Sequence, residues 1–230
     1  MNHISLYKDP SKIDWKTPVV IDFESYYDKE WSLSKITTEK YIRGDQWECI
    51  GVSIKVGDKP AKFYRHETGL PIIAELVKRL PTSPFISHNN SFDMAILGLR
   101  YGIHPNFMVD TMVMAKLCGF DRVAGGTSLA KLSDQLEKMG LVNKVKGTTV
   151  HNMIGVHAAD MTEQQWQEYG DYCVLDTDLC YALYMYMIDK VPTQELIMAD
   201  ITTKMYTKPM FNIDVPLLES YAERLATERE

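Results

Sequence analysis

The sequence predicts an α/β protein built on a mixed sheet with flanking helices. Three observations carry this. Residues 18–24 are an apolar run of strand length. CIGVSIKV (49–56) and KPAKFYRH (59–66) are two more, separated by Gly57-Asp58, a dipeptide suited to a hairpin turn. From residue 72 onward, helical periodicities surround one further short apolar run, PFISHN (84–89), so a strand meander gives way to helices packed around a sheet.

The helices follow in order. IIAELVKRL (72–80) is expected behind Pro71, a residue suited to a first helical turn. SFDMAILGLRYG (91–102) carries Phe92, Ile96 and Leu99 at helical spacing. TMVMAKLCG (111–119) follows Asp110, an N-cap residue type, and the amphipathic SLAKLSDQLEKMG (128–140) ends at glycine. Residues 141–161 lack periodicity and are expected as a loop over one face. Thr162 and Gln165 fit a capping box that opens a helical stretch to about residue 188, with Gly170 as a candidate break. After Pro192 the character changes. TQELIMADITTKMY and DVPLLESYAERLATERE read as two helices joined by TKPMFNI, the second still helical where the sequence stops. The expected organisation is one domain over 1–190 and a helical appendage over 191–230, in a chain cut from something longer or split from a partner chain.

The 230 residues are 45% hydrophobic and 24% charged, the balance of an ordinary globular protein. No run of about 18 apolar residues suggests a membrane span, and MNHISLYKDPSK lacks the apolar core of a signal peptide. Cys49, Cys118, Cys173 and Cys180 show neither a CxxC pair nor zinc spacing, so reduced thiols and a cytoplasmic setting are expected. The net charge of −6 argues against a protein that grips nucleic acid mainly through a basic surface. It leaves room for one that meets phosphates through bound cations.

Three segments place acids where a core should be apolar. In VVIDFES (19–25), Asp22 and Glu24 are two residues apart in a strand and therefore share a face. Burying such a like-charged pair is costly unless something compensates. Asp93, in SHNNSFDMAIL, lies one turn into a helix that follows a strand end. In YCVLDTDLC (172–180), Tyr172 and Asp176 are four apart and share a helix face. Asp178 is turned by roughly 200° from Asp176, and Asp171 also points elsewhere. Taken singly, each has an ordinary reading: a solvated strand edge, an early-helix acid near the positive end of the dipole, a half-buried tyrosine beside a surface acid. Together, and in this order, they carry more.

The set resembles the DEDD superfamily of 3′–5′ exonucleases: a strand D-x-E at Asp22–Glu24, an N-x-x-x-D at Asn89–Asp93, and a helical Y-x-x-x-D at Tyr172–Asp176. The alternative subclass would have histidine at position 171, which is Asp171 here, so the chain resembles the tyrosine type. The likeness spans about residues 17–190 and implies an RNase H-like (DnaQ-like exonuclease) fold. DTMVMAKL, SLAKLSDQL and the tail ADITTKMYTKPMFNIDVPLLESYAERL are further similar to the proofreading domain of family A (Pol I-like) DNA polymerases and its passage into the thumb. A phage-type polymerase is the suggested context, with the polymerase domain in cis or in trans, in the cytoplasm of a bacterium or a phage-infected host.

The resemblance implies that Asp22, Glu24, Asp93 and Asp176 hold two divalent cations, Mg²⁺ or Mn²⁺. The charge bookkeeping agrees, since about four negative charges would meet four positive ones on hard cations that prefer carboxylate oxygens. Two such cations about 4 Å apart can clamp both oxygens of a phosphoryl displacement. By the same resemblance Asp22 bridges both cations, Glu24 and Asp176 complete the site that activates water, Asp93 serves the second, and Tyr172 orients the water. Asn89 is expected to contact substrate, with His88 and Phe92 lining the pocket. Residues 141–161 and the aromatics near Trp31 and Tyr41 are candidates for stacking on bases. The implied reaction is release of 5′-mononucleotides from a single-stranded or frayed DNA 3′ end. Two rivals stand beside it: an RNase D-like 3′–5′ exoribonuclease, and an inactive nucleic-acid-binding domain.

Overall fold

The computed structural model describes residues 3–143 and 153–228, so the loop expected over 141–161 lies partly outside the described residues. Five strands form one sheet in the order β3-β2-β1-β4-β5. Strand β1 (Val19–Ser25) pairs antiparallel with β2 (Cys49–Val56), and β2 with β3 (Lys62–Arg65). On its other side β1 runs parallel to β4 (Phe85–Ser87), which is parallel to β5 (Met108–Asp110). The meander and the mixed sheet are as the sequence predicts. The second hairpin strand is shorter than expected, because it is an edge with exposed Lys62 and Arg65 rather than a core strand. Strand β5 had no sequence signal: two apolar residues followed by Asp110 show no period.

Helices cover both faces. Val19, Ile21 and Phe23 point to one side, where α2 (Thr38–Arg43), α3 (His66–Arg79) and α4 (Asn90–Ala95) supply Tyr41, Ile42, Ile73, Met94 and Ala95. Val20, Ile86 and Val109 point to the other. There α5 (Thr111–Leu117), α6 (Phe120–Ala124), α7 (Leu129–Lys138) and the long α8 (Glu163–Met187) close the core with Met114, Phe120, Leu132, Leu179 and Leu183. The short α1 (His3–Lys8) adds Leu6 to this second core.

Three helices differ from the sequence expectation. Helix α3 starts at His66, so Pro71 lies inside it rather than in its first turn. Gly69 brings that turn against β2, where a Cβ would come 2.4 Å from Val52. Helix α4 is six residues long and passes into a π-turn over Ile96–Arg100. Gly98 in that turn abuts the Thr207 carbonyl, which a Cβ would meet at 2.3 Å. Helix α8 runs unbroken through Gly170, which lets Phe63 of β3 pack on its backbone; a Cβ there would meet the ring at 3.0 Å. Its capping box forms as expected between Thr162 and Gln165. None of the helices among the described residues is long and apolar enough to cross a membrane.

Two helices follow. Helix α10 (Val215–Thr227) is exposed at every residue. Helix α9 (Thr193–Thr207) packs on the sheet edge through Leu196 and the fully buried Asp200. Asp200 accepts the Met108 N–H at 3.0 Å, the Tyr7 hydroxyl at 2.7 Å and the Lys204 ammonium at 2.5 Å. Lys204 also donates to the Asn106 carbonyl at 2.8 Å. One carboxylate therefore satisfies an edge-strand amide of β5 and neutralises a largely buried lysine. Removing it strands both groups, which for buried pairs costs about 3–5 kcal/mol. Asp200→Ala is expected to lower the unfolding free energy by about that amount in urea titrations at pH 7. A change under about 1 kcal/mol would mean that water replaces the carboxylate.

Candidate active site

The carboxylate-bearing end of β1 lies where the sheet runs out of partners on one side. Strand β1 pairs with β4 only at Val19 and Val20, while it stays paired with β2 past Asp22 (opposite Ser53) and Glu24 (opposite Gly51). Beyond Val20 the amides facing β4 need other acceptors, and Asp93 supplies one: its Oδ1 accepts the Phe23 N–H at 2.9 Å. This hydrogen bond brings the second motif to the backbone between the two acids of the first. Asp22 and Glu24 are half-buried, whereas Asp93 is 2% exposed. Burial pushes the Asp93 carboxyl up to about 7, against the bond from Phe23, and nearby Asp110 pushes the same way.

The turn that carries Asn89 to Asp93 is built by Asp110. Asn89 adopts a left-handed conformation (φ 79°), the only non-glycine with positive φ among the described residues. Asp110 holds it there. Its carboxylate accepts from Asn89 N at 3.1 Å and Asn90 N at 2.9 Å, and also caps α5 through Met112 N at 2.8 Å. The sequence pointed only to the capping role, since nothing local shows that β5 ends beside β4. The Asn89 side chain accepts from the Ser91 hydroxyl. His88 bridges two elements: Nε2 meets the Thr127 carbonyl at 2.9 Å and Nδ1 the Thr111 hydroxyl at 2.9 Å. A carbonyl can only accept, so Nε2 carries a proton.

Helix α8 presents the third motif to the same end of the sheet. Tyr172, Cys173 and Asp176 lie on one face of it, and Asp176 is 4% exposed. Tyr172 hydrogen-bonds to Asp176, and its phenol is raised by burial, then by Asp176, Glu24 and Asp22. It therefore keeps its proton. Cys173, which sequence reasoning passed over, donates to the Asp22 carbonyl at 3.2 Å and to Asp22 Oδ2 at 3.4 Å. Burial, then Asp22 and Glu24, push its thiol well up, so it acts as a protonated donor. Its position one residue after Tyr172 was the only available signal.

One ligand atom each from Asp22, Glu24 and Cys173 lies within 4.8 Å of the others. With the thiol protonated, the usable donors of this group are the Asp22 and Glu24 oxygens; Asp93 and Asp176 are not part of it and reach the same strand end through the Phe23 N–H and Tyr172. That donor set suits a hard divalent cation. Beside Glu24 opens a cavity of about 230 Å³ lined by Phe23, Tyr27, Leu33, Tyr41 and Phe92. Trp31 stacks on Tyr41 with centroids 5.9 Å apart. A larger cavity of about 320 Å³ lies elsewhere, between α9 and residues 103–108, and touches none of the motif carboxylates.

Comparison with known proteins agrees with this geometry. No curated protein matches the chain in sequence. Solved structures match in fold. RNase D of Trypanosoma brucei superposes with a TM-score of 0.60 at 13% identity, covering 92% of this chain and 73% of that one. NrnC of Brucella melitensis gives 0.55 at 19% identity, covering 86% and 84%. RNase D of Escherichia coli gives 0.57 at 13% identity, covering 91% and 49%. Identities this low speak for the fold alone, and that fold is the RNase H-like exonuclease sheet with flanking helices. The sequence itself matches the 3′–5′ exonuclease family over residues 21–192, well over half of its length. The chain belongs to the 3′–5′ exonuclease family.

Proposed function

We propose that this chain releases 5′-mononucleotides from single-stranded 3′ ends, with Asp22, Glu24, Asp93 and Asp176 holding two divalent cations, Mg²⁺ or Mn²⁺. The observation that carries the reading is the gathering of the three motifs at the free end of β1. Bound there, the cations would neutralise the acids and supply activation of water and stabilisation of the leaving oxygen. The protein's own groups do the rest. Tyr172, kept protonated, orients the attacking water. Water adds to phosphorus, the bond to the 3′ oxygen breaks, and that oxygen ends with a proton. Phe92, Tyr41 and Tyr27 line a space suited to one unpaired base. A cytoplasmic setting fits four free cysteines.

Two substrates suit this chemistry. RNA is favoured by the structural relatives: RNase D of Trypanosoma brucei has been solved with U12 RNA, and NrnC with pGG and with Mg²⁺. DNA, in the proofreading part of a family A polymerase, is favoured by DTMVMAKL, SLAKLSDQL and the tail segment. The RNA reading has the broader support. Rates on matched single-stranded RNA and DNA oligonucleotides decide between them, in Mg²⁺, Mn²⁺ and chelator. The expected outcome is faster release from RNA and none in chelator. Faster release from DNA, above all from a 3′-mismatched primer, would favour the proofreading reading. Asp22→Ala should abolish release, whereas Tyr172→Phe should leave a reduced, measurable rate, lower by roughly 10²-fold. Equal losses would refute the positioning role of Tyr172.

The raised Asp93 carboxyl sets a pH dependence for the chelated protein. Its folded pKa of about 7 exceeds the ordinary 3.8, so the folded state binds the proton more tightly. Stability from this group is full below about pH 4 and declines as pH rises through about 7. Urea midpoints in chelator should fall from pH 5 to pH 8, and Asp93→Asn should flatten that fall. Saturating Mg²⁺ should flatten it in the parent. An unchanged slope in the variant would place the titrating group elsewhere.

A further inference from the structure

Tyr169 shares the face of α8 that carries Tyr172, Cys173 and Asp176, which follow it by three, four and seven residues. It is 2% exposed and packs with Ile50, Met153 and Met161. Its hydroxyl makes no well-formed hydrogen bond. A buried hydroxyl in that condition is uncommon, because it has lost water without a full replacement. After burial itself, the strongest influence on this phenol is the Glu24 carboxylate, followed by Tyr27 and Cys173. Tyr169 packs on Ile50, the neighbour of Gly51, which lies opposite Glu24 across the β1–β2 ladder, so the phenol stands on the side of the sheet end that carries this carboxylate.

We propose that Tyr169 is a positioning residue for Glu24, its phenol donating a hydrogen bond to the carboxylate when that group takes up a cation. The proposal rests on the reading of Asp22 and Glu24 as cation ligands. Glu24 sits at the bulge where β1 leaves register with β2, opposite Gly51, so no cross-strand side chain fixes its rotamer. Gly51 cannot be larger, since a Cβ there would meet Phe63 at 2.3 Å. A donor behind a ligating carboxylate fixes which oxygen it offers, and such partners commonly alter metal affinity by 10–100-fold. Two tyrosines three residues apart would then divide the work, Tyr172 on Asp176 and Tyr169 on Glu24.

The test measures Mn²⁺ uptake directly, by electron paramagnetic resonance of free Mn²⁺, alongside unfolding midpoints in chelator. Tyr169→Phe is expected to weaken Mn²⁺ binding about tenfold, while its chelated midpoint equals or exceeds that of the parent. In a Glu24→Gln background the same substitution should cost less than a further twofold, because its partner is gone. Binding within twofold of the parent would overturn the proposal, as would a chelated midpoint that falls together with affinity, or a full further loss in the Glu24→Gln background. A parent that takes up no Mn²⁺ would overturn the cation reading itself. A parent that binds, matched by Tyr169→Phe, would overturn only the role of Tyr169.

Discussion

Strand β1 outruns its parallel neighbour, and everything at the candidate site follows from how that gap is filled. Had β4 continued past Ser87, its backbone would have met Phe23, and no room would remain for an acid between Asp22 and Glu24. Instead the chain turns away through Asn89 and returns a side chain, Asp93, to the vacated amide. A sheet hydrogen bond is thereby exchanged for a charge-bearing one. The exchange concentrates acids at one point between two buried cores, a cost that protonation of Asp93 or bound cations would offset.

Asp110 and Cys173 prepare that arrangement from opposite directions. Asp110 takes two amides of the Asn89 turn and so offsets the strain of a left-handed asparagine. Cys173 fastens α8 to the backbone and carboxylate of Asp22, setting the height at which Asp176 approaches the strand. Neither residue belongs to a motif. Both are supports whose partners lie far away in sequence.

That distance separates what the sequence reveals from what it hides. Strands β1 and β2, the Gly57 turn, the amphipathic α7 and the capped α8 were legible because each carries its own period or cap. The motif acids were legible because acids inside apolar runs are conspicuous. Short α1, α2 and α6 and three-residue β5 were not, since such elements draw their stability from tertiary contacts rather than from propensity. Gly170 misled for a related reason: its lack of a side chain serves Phe63 on another strand, not the helix itself. Tyr169 reads locally as one more core aromatic, and only the placement of Glu24 beside it gives its hydroxyl a meaning.

The lock between α9 and β5 has a practical corollary for anyone trimming this chain. The family match stops at residue 192, one step before α9 begins. A fragment ended there would bare the outermost strand amide and uncover Leu6, Phe107 and their neighbours, which share a core with Leu196. Such a product would retain every motif residue yet present a sticky, unfinished rim to other copies of itself. A shortened expression boundary is better set after Thr207 than at the edge of the recognised family.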